Sequence, residues 1–230
     1  MAASLSAVGS YLLLCLSVVG IQQGSPASAS EAVELVPCRL GHHIDPGKES
    51  RVTYGSVIKL KHEKTKFRLH SHEVPYGSGS GQQSVTGFPN VDDANSYWIV
   101  RPEPGTSATQ GDPIKSGTII RLQQATTRKW LHSHLHASPI TGNLELFWRR
   151  RRVGHRDYWR LTIEGRGKTW RKDQRVRLQH VDTGGYLHSH NKKYQRIVGG
   201  QQEVCGVGEK RAENIWLAAE GVYLQASGSK

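Results

Sequence analysis

The chain of 230 residues lacks several features that would define other classes of protein. It has only three cysteines, too few for a scaffold held together by many disulfides. No apolar run is long enough to span a bilayer. It has no phosphate-cradling glycine loop, no G-x-S-x-G motif, no Cys/His zinc spacing and no recognisable catalytic carboxylate pair. The sequence therefore favours a binding protein over an enzyme, and we predict no cofactor and no metal site.

Charge is missing from the amino-terminal end, where the first 30 residues contain no charged side chain. Residues 11–21 are mostly apolar, and Ala27-Ser28-Ala29 offers small residues at the positions of an A-x-A cleavage site. We therefore predict a signal peptide over residues 1–29 and a mature chain without a membrane span. The carboxyl end carries no retention tetrapeptide of the Lys-Asp-Glu-Leu type. The sequence thus predicts entry into the secretory pathway.

The remaining cysteines and the net charge leave alternatives open. Cleavage removes Cys15, after which Cys38 and Cys205 could pair in an oxidising compartment or stay free. The chain has 31 Lys+Arg against 19 Asp+Glu, which suits nucleic acid, an anionic membrane, an acidic polymer or a solvated basic surface. Five of the arginines lie within residues 146–156, so the net charge is a poor argument for nucleic acid, and we predict no such partner.

The tetrapeptide Leu-His-Ser-His occurs three times and marks an internal repeat. The copies begin at Leu69, Leu131 and Leu187, and each follows a basic residue, a leucine and a threonine at matched distances. A glycine-led segment and then a tryptophan follow each copy in the same order. Such self-similarity means that one structural unit recurs and that the units bury a shared core. An irregular leader at 30–52 precedes repeats at 53–106, 114–169 and 170–224.

Short apolar segments separated by Gly-, Pro- and Asn-rich turns predict four strands in each repeat and twelve in all. An all-β fold of three such units closes naturally as a β-trefoil, in which six strands form a barrel and three hairpins cap it. The recurring leucines and tryptophans are predicted to form the structural core; the alternative for the tryptophans is a sugar-stacking platform. These core residues are Leu60, Leu69, Trp98, Leu122, Leu131, Trp159, Leu178, Leu187 and Trp216.

The paired histidines are the candidate surface for a ligand or partner. If the leucine of Leu-His-Ser-His points inward on a strand, so does the serine, and both histidines share the outer face. Two imidazoles at i and i+2 can bind zinc, but no acidic or Cys partner recurs beside all three copies. The other interpretations are hydrogen bonding to the adjacent loop, or a pH-sensitive groove for a peptide or glycan. The candidates are His70, His72, His132, His134, His188 and His190.

Several segments resemble the MIR motifs of protein O-mannosyltransferases, of inositol-trisphosphate and ryanodine receptors, and of stromal-cell-derived-factor-2-like proteins. The last group, and especially its plant members, is the most similar. The resemblance covers residues 53–224, and its most specific part is the long Gly-Ser-Gly string. The segments that carry it are Arg68–His72, Tyr76–Gly87, Asp93–Trp98, Leu131–Pro139 and Gly200–Val204.

This resemblance implies a β-trefoil that resides in the lumen of the endoplasmic reticulum or is secreted. It implies a non-catalytic role in protein folding and quality control, with a lumenal J-domain protein and an Hsp70 chaperone as partners. In plants it extends to the biogenesis of surface immune receptors. The mannosyltransferase relatives suggest an alternative, a lectin-like module that binds mannose-type glycans or client glycoproteins. Two stretches depart from the family pattern, residues 36–50 with Cys38 and the arginine-rich residues 146–156.

Overall fold

The computed structural model describes residues 50–76, 81–149, 157–196 and 198–225. Twelve β-strands within these residues belong to one hydrogen-bonded sheet, which confirms the predicted all-β class. No helix of this part of the chain is long and apolar enough to cross a membrane. The predicted signal peptide, Cys38 and the arginines at 150–152 lie outside the described residues.

Each repeat supplies four strands in the predicted order, and the second strand of each continues beyond Leu-His-Ser-His. The first repeat contains β1 (Val57–His62), β2 (Arg68–Pro75), β3 (Gln83–Phe88) and β4 (Tyr97–Pro102). The second contains β5 (Ile119–Gln124), β6 (Trp130–Ala137), β7 (Leu144–Arg149) and β8 (Trp159–Ile163). The third contains β9 (Arg175–His180), β10 (Tyr186–Lys193), β11 (Gln202–Val207) and β12 (Trp216–Val222).

The first and last strands of the repeats hydrogen-bond into a closed antiparallel ring. Around it, β1 pairs with β4, β4 with β5, β5 with β8, β8 with β9, β9 with β12, and β12 with β1. Every strand of the ring therefore has two neighbours, and the ring has no free edge to attract another chain. The middle strands form the hairpins β2–β3, β6–β7 and β10–β11. Strands β3, β7 and β11 also pair with one another and so join the hairpins.

The leucines and tryptophans that the sequence assigned to the core all belong to one buried cluster and have no exposed surface. Each of the three tryptophans donates its indole N–H to the main-chain oxygen of the leucine that begins Leu-His-Ser-His in its own repeat. These distances are 2.8 Å in the first repeat, 3.0 Å in the second and 2.9 Å in the third. Rings buried in this way cannot stack against a sugar. Burial of one such side chain stabilises the fold by about 1.5–3 kcal/mol.

A second threefold set in the core was missed in the sequence. Val52, Ile114 and Trp170 are fully buried, and each stands eight residues before the first core leucine of its repeat. The main-chain N–H of Val52 donates to the oxygen of Trp170 at 3.0 Å. The assignment of residues 30–52 to an irregular leader is therefore wrong for Val52. Isolated bridges join the neighbours of these residues: Arg51 with Arg171, Thr53 with Pro113, and Lys115 with Thr169.

Candidate functional site: the histidine pairs and their loops

Each Leu-His-Ser-His segment lies in the second strand of its repeat and meets the third strand across a hairpin. The leucine is in the core and the serine is buried, in keeping with strand alternation. Ser71 Oγ donates to the main-chain oxygen of Ser84 at 2.5 Å, and Ser189 Oγ donates to that of Glu203 at 2.9 Å. The serine therefore connects the two strands of the hairpin.

The sequence assigned both histidines of each pair to a candidate ligand surface, and this is wrong for the first of them, which is buried. The loop before the closing strand of the repeat covers this histidine and hydrogen-bonds to it. The first histidines have at most 5 % of their surface exposed (His70, His132 and His188). The second histidines are partly exposed (His72, His134 and His190). Only the second histidine of each pair therefore forms part of the solvent-exposed surface.

In the first repeat, a carboxylate and two imidazoles form a hydrogen-bonded chain. Nδ1 of His70 lies 2.6 Å from Oδ2 of Asp93, and it carries the proton because an ionised carboxylate only accepts. Nε2 of His70 then accepts from Nδ1 of His72 at 2.8 Å. Asp93 also accepts from the main-chain N–H of Asn95 at 3.2 Å and from Ser96 Oγ at 2.5 Å. The same carboxylate thus caps the 3-10 turn Ala94–Ser96 and orients the buried imidazole.

Burial sets the protonation of this chain. Loss of solvent lowers the pKa of His70, and the hydrogen bond to Asp93 only partly offsets this, so the buried ring is neutral near pH 7. Burial opposes ionisation of Asp93, but the hydrogen bonds from Ser96 and His70 outweigh it and lower the pKa of that carboxyl group. The first repeat therefore holds a neutral imidazole against an ionised carboxylate.

In the second repeat, Asp157 contacts the buried histidine from a different place in the loop. It lies two residues before the tryptophan, whereas Asp93 lies five residues before its own. Oδ1 of Asp157 is 3.2 Å from Nδ1 of His132, and Oδ2 is 3.5 Å from the guanidinium of Arg121. The partly exposed His134 stacks against His136, with ring centroids 4.4 Å apart.

In the third repeat, an amide replaces the carboxylate. Oδ1 of Asn214 accepts from the main-chain N–H of Arg211 at 2.5 Å and from the guanidinium of Arg177 at 3.3 Å. The amide Nδ2 must therefore face His188, whose Nδ1 lies 3.2 Å away and accepts. Burial, with repulsion by His190 as a smaller cause, lowers the pKa of His188 to about 4. The ring is neutral and carries its proton on Nε2.

The third repeat also contains a buried carboxylate that the sequence did not single out and a buried thiol, Cys205, that the sequence considered only as a possible disulfide partner. Glu203 has no exposed surface and lies with Oε2 2.6 Å from Nε2 of His190; it also accepts from Ser138 and Thr141. Burial opposes its ionisation, but the hydrogen bond from His190 lowers the pKa of Glu203 overall. Cys205 stands opposite His188 in the hairpin, and burial raises the pKa of its thiol to about 12.

Strand alternation could have found both residues. Glu203 and Cys205 are two apart on β11 and therefore face the same side, as His188 and His190 do on β10. What the sequence could not show was that the two strands bring these four residues together. His188, His190 and Cys205 each offer a ligand atom within 4.8 Å of the other two, whereas the sequence predicted no metal site.

The basic residue of the repeat signature (Lys59, Arg121 or Arg177) contacts the loop that covers the first histidine of its repeat. Lys59 donates to the main-chain oxygen of Val91 and lies 4.3 Å over the ring of Tyr97. Arg177 donates to the main-chain oxygen of Arg211 and to Asn214. Much of the repeat signature thus serves to position the loop above the first histidine.

In the first and second repeats, the residue three positions before the signature threonine is hydrogen-bonded to that threonine and also to the loop of a neighbouring repeat. His62 Nδ1 lies 2.9 Å from Thr65 Oγ1, and its Nε2 lies 3.0 Å from the main-chain oxygen of Glu213 in the loop of the third repeat. Gln124 of the second repeat likewise donates to the main-chain oxygen of Asn95 in the loop of the first, at 3.3 Å. In the first and third repeats, the loop that covers the histidine is therefore also hydrogen-bonded to a neighbouring repeat.

Comparisons with known proteins agree with the resemblance seen in the sequence. Residues 75–145 match the MIR domain. A stromal cell-derived factor 2-like protein of Arabidopsis thaliana is 73% identical over 181 residues, which are 77% of this chain and 83% of that protein. The crystal structure of the SDF2-like protein from Arabidopsis thaliana has a TM-score of 0.75 and 72% identity, covering 76% of this chain and 98% of the other.

A larger protein also contains a similar part. A structure of the S. cerevisiae protein O-mannosyltransferase complex bound to the sugar donor matches with a TM-score of 0.68 and 28% identity. The match covers 79% of this chain but only 27% of that chain. The Arabidopsis thaliana relative, in contrast, is matched over most of its length and carries no enzyme name.

Proposed function

The chain belongs to the stromal cell-derived factor 2-like family of MIR-domain proteins, and from that premise we propose that it is a non-catalytic adaptor in the endoplasmic reticulum lumen. It acts in protein folding and quality control, with a lumenal J-domain protein and an Hsp70 chaperone as partners. In a plant it supports the biogenesis of surface immune receptors. The observation that carries this proposal is the 73% identity over 83% of the Arabidopsis thaliana relative.

We further propose a β-trefoil behind a cleaved signal peptide. The closed ring of six strands, with three hairpins joined through β3, β7 and β11, supports the first part. The uncharged amino-terminal end and its Ala27-Ser28-Ala29 sequence support the second. Amino-terminal sequencing of the protein recovered from a secretory extract tests the second part, with residue 30 as the expected first residue. An intact Met1 in that sample contradicts the cleavage.

The adaptor surface that we propose lies where β6 continues beyond Leu-His-Ser-His. Leu135 has 82% of its surface exposed and stands between His134 and His136. The corresponding residues of the other repeats are the polar Glu73 and Asn191, so this strand presents an apolar side chain where its counterparts do not. An apolar side chain that loses contact with water when a protein segment packs against it favours association, and we base the proposed surface on this.

Retention on an immobilised lumenal J-domain protein, with and without Hsp70, tests the adaptor role. We expect the purified chain to be retained and Leu135→Asn to weaken retention by about tenfold, the effect of losing roughly 1.4 kcal/mol of binding. Val91→Asn is the matched control, since Val91 is also an exposed apolar residue, at 45%, but lies in the loop before β4. A folded chain that is not retained contradicts the adaptor role. Retention that Leu135→Asn leaves unchanged contradicts only the choice of surface.

The alternative is a lectin-like module for mannose-type glycans. It is favoured by the similarity to the mannosyltransferase complex, in which the matched portion is about a quarter of the chain. Under this proposal, glycoproteins captured from a lumenal extract should elute with free mannose, and chaperones should not be among them. A glycan array without signal for the folded chain removes the alternative. Capture of a J-domain protein and Hsp70 that mannose does not displace supports the adaptor.

A further inference from the structure

The hairpin β10–β11 places imidazole, thiol and carboxylate groups on one face. His188 stands opposite Cys205 in the register, and His190 and Glu203 follow on the same side of their strands. Among the described residues, His188, His190 and Cys205 each offer a ligand atom within 4.8 Å of the other two. We propose that these three residues form a binding site for a divalent transition-metal ion of the zinc type.

The residue types and the spacing suit this ion. Zn²⁺ is bound by His nitrogen and Cys sulfur at about 2.0–2.3 Å, which puts tetrahedral ligand atoms roughly 3.3–3.8 Å apart. The three ligand atoms must therefore approach one another by about 1 Å. His190 can supply this movement because its side chain is 16% exposed, and the ion can enter from the same side. Two histidines and one cysteine leave a fourth position for water or another ligand.

Hydrogen bonds to the proposed ligands His190 and Cys205 support the assignment. Glu203 accepts from Nε2 of His190 at 2.6 Å, so Nδ1 of that ring carries the lone pair that can bind a metal ion. Nδ1 accepts from the main-chain N–H of Lys192 at 3.1 Å, a contact that the metal would replace. A carboxylate on the far nitrogen of a ligating histidine orients the ring and raises its basicity. Asn143 Nδ2 lies 3.5 Å from Cys205 Sγ and would stabilise the thiolate formed when Zn²⁺ displaces the thiol proton into solvent.

The other two histidine pairs serve as internal controls. His70 stands opposite Thr86 and His132 opposite Phe147, so neither hairpin has a thiol at this place. The site is therefore a property of the third repeat and not of the Leu-His-Ser-His motif. The proposal is independent of the adaptor role, since none of its ligands is Leu135 and it makes no use of that side chain.

Asn214 provides a variant that should strengthen binding. Coordination by Nε2 of His188 requires the proton to move to Nδ1, but Nδ1 now accepts from the Asn214 amide. Asn214→Asp would supply an acceptor for that proton and keep an oxygen for the main-chain N–H of Arg211. We expect this variant to bind Zn²⁺ about tenfold more tightly, the lower end of the effect of outer-shell partners. Unchanged or weaker binding overturns the assignment of His188 as a ligand.

The first experiment is titration of the purified, reduced chain with Zn²⁺ in competition with a chromophoric chelator. Co²⁺ is then substituted, because a cysteine ligand produces a thiolate-to-metal charge-transfer absorption. We expect one ion per chain and the thiolate absorption with Co²⁺. Cys205→Thr, which introduces the residue of the first repeat, should remove the absorption and weaken Zn²⁺ binding by at least about 100-fold. His190→Gln should weaken it to a similar extent.

Cys38→Ser and His72→Gln are the matched controls and should change nothing. Equal Zn²⁺ binding by Cys205→Thr would mean that the ion binds to surface histidines, and it overturns the proposal. The absence of binding, or a Co²⁺ complex without thiolate absorption, overturns it as well. If Cys205→Thr does not fold, the Co²⁺ absorption of Cys38→Ser decides, because Cys205 is then the only thiol after signal cleavage.

Discussion

The first and third repeats each place a Leu-His-Ser-His strand in an equivalent hairpin, β2–β3 and β10–β11. Their buried histidines nevertheless carry the proton on different ring nitrogens. In the first repeat, His70 donates from Nδ1 to Asp93 and accepts at Nε2 from His72. In the third, His188 accepts at Nδ1 from Asn214 and keeps its proton on Nε2. The backbone repeat thus determines where the imidazole lies, and one loop residue determines in which direction its hydrogen bonds run.

The two repeats also differ in what surrounds the second histidine. His72 completes a chain that ends on the carboxylate of its own loop. His190 is held by Glu203, a buried carboxylate of the neighbouring strand. The first repeat therefore uses its polar groups to hold the loop, whereas the third places a carboxylate and a thiol beside the histidine pair. The three repeats thus share a backbone fold, while a single repeat can carry side chains with a different chemical role.

The largest expected effect concerns the place where the third repeat meets the first. Gly221 of β12 has φ +152°, and a Cβ there would lie 2.2 Å from the main-chain oxygen of Val57 and 2.8 Å from Cα of Ile58. Gly221→Ala must push β12 away from β1 and open the ring, so we expect a loss of at least about 3 kcal/mol in the free energy of unfolding. Urea denaturation followed by tryptophan fluorescence measures it.

Gly208→Ala is the control in the same repeat, since a Cβ at Gly208 meets nothing within 4 Å. It should stay within about 0.5 kcal/mol of the parent. Equal midpoints for Gly221→Ala and Gly208→Ala would show that β1 and β12 do not approach as closely as described.

The next effect concerns the loop anchor of the first repeat. Asp93→Ala removes the acceptor for His70, for Ser96 and for the main-chain N–H of Asn95. We expect a loss of about 2–4 kcal/mol, since hydrogen bonds to a charged group contribute about 1.5–3 kcal/mol each and part of the loop can rehydrate. The measurement is chemical denaturation at pH 7. Asp92→Ala, an exposed neighbour, should change stability by less than about 0.5 kcal/mol; a similar loss in both variants would contradict a specific role for Asp93.

A pH series sharpens the comparison further. The folded pKa of His70 is below its unfolded value of 6.5, so below that pH the unfolded state binds more protons and stability falls with falling pH. The contribution of Asp93 is lost at lower pH, as the pH falls below 3.8 toward the lowered folded pKa. We expect His70→Gln to reduce the slope of unfolding free energy between pH 6.5 and 5 by at most about 1.4 kcal/mol per pH unit.

The control is His72→Gln, which removes a partly exposed ring from the same pair. The slopes come from denaturation curves at several pH values. If His70→Gln keeps the full slope of the parent, protonation of His70 does not limit stability in this window, which contradicts a lowered pKa for the buried ring.

The smallest effect concerns the turn that precedes each histidine strand. One residue of this turn has a left-handed backbone in every repeat: Lys66 with φ 65°, Arg128 with φ 59° and Gly184 with φ 70°. Since a Cβ at Gly184 would meet nothing within 4 Å, Gly184→Lys should cost only the left-handed penalty of about 1 kcal/mol. Lys66→Gly should stabilise by up to the same amount, as thermal unfolding would show. A change of the same sign in both variants would mean that the turns are not equivalent.

Much of the architecture could be predicted because the repeat is visible in residue types. The number of strands in the described residues was predicted correctly, and the core leucines and tryptophans recur at spacings that match strand and hairpin lengths. Val52, Ile114 and Trp170 escaped notice because three different apolar residues occupy the equivalent positions. Their common offset of eight residues from Leu60, Leu122 and Leu178 was the signal that could have found them.

The site was predicted less well, and the reason is physical. Alternation along a strand says which side chains share a face, but it does not say whether a loop covers that face. His70 and His72 share a face, and the turn Ala94–Ser96 together with Asp93 buries only the first. Sequence distance gave no indication that a residue 23 positions later would be the partner of His70.

The sequence by itself determined the threefold repeat, the all-β class and the core, because those depend on a local residue pattern that is present in each repeat. The tertiary structure alone decided the burial of the first histidines, the proton position in each ring and the meeting of His188, His190, Glu203 and Cys205. These depend on loops and hairpins that bring distant residues within a few ångströms of one another. Contacts between residues far apart in sequence are set by the packing of whole strands, which no local pattern of the chain encodes.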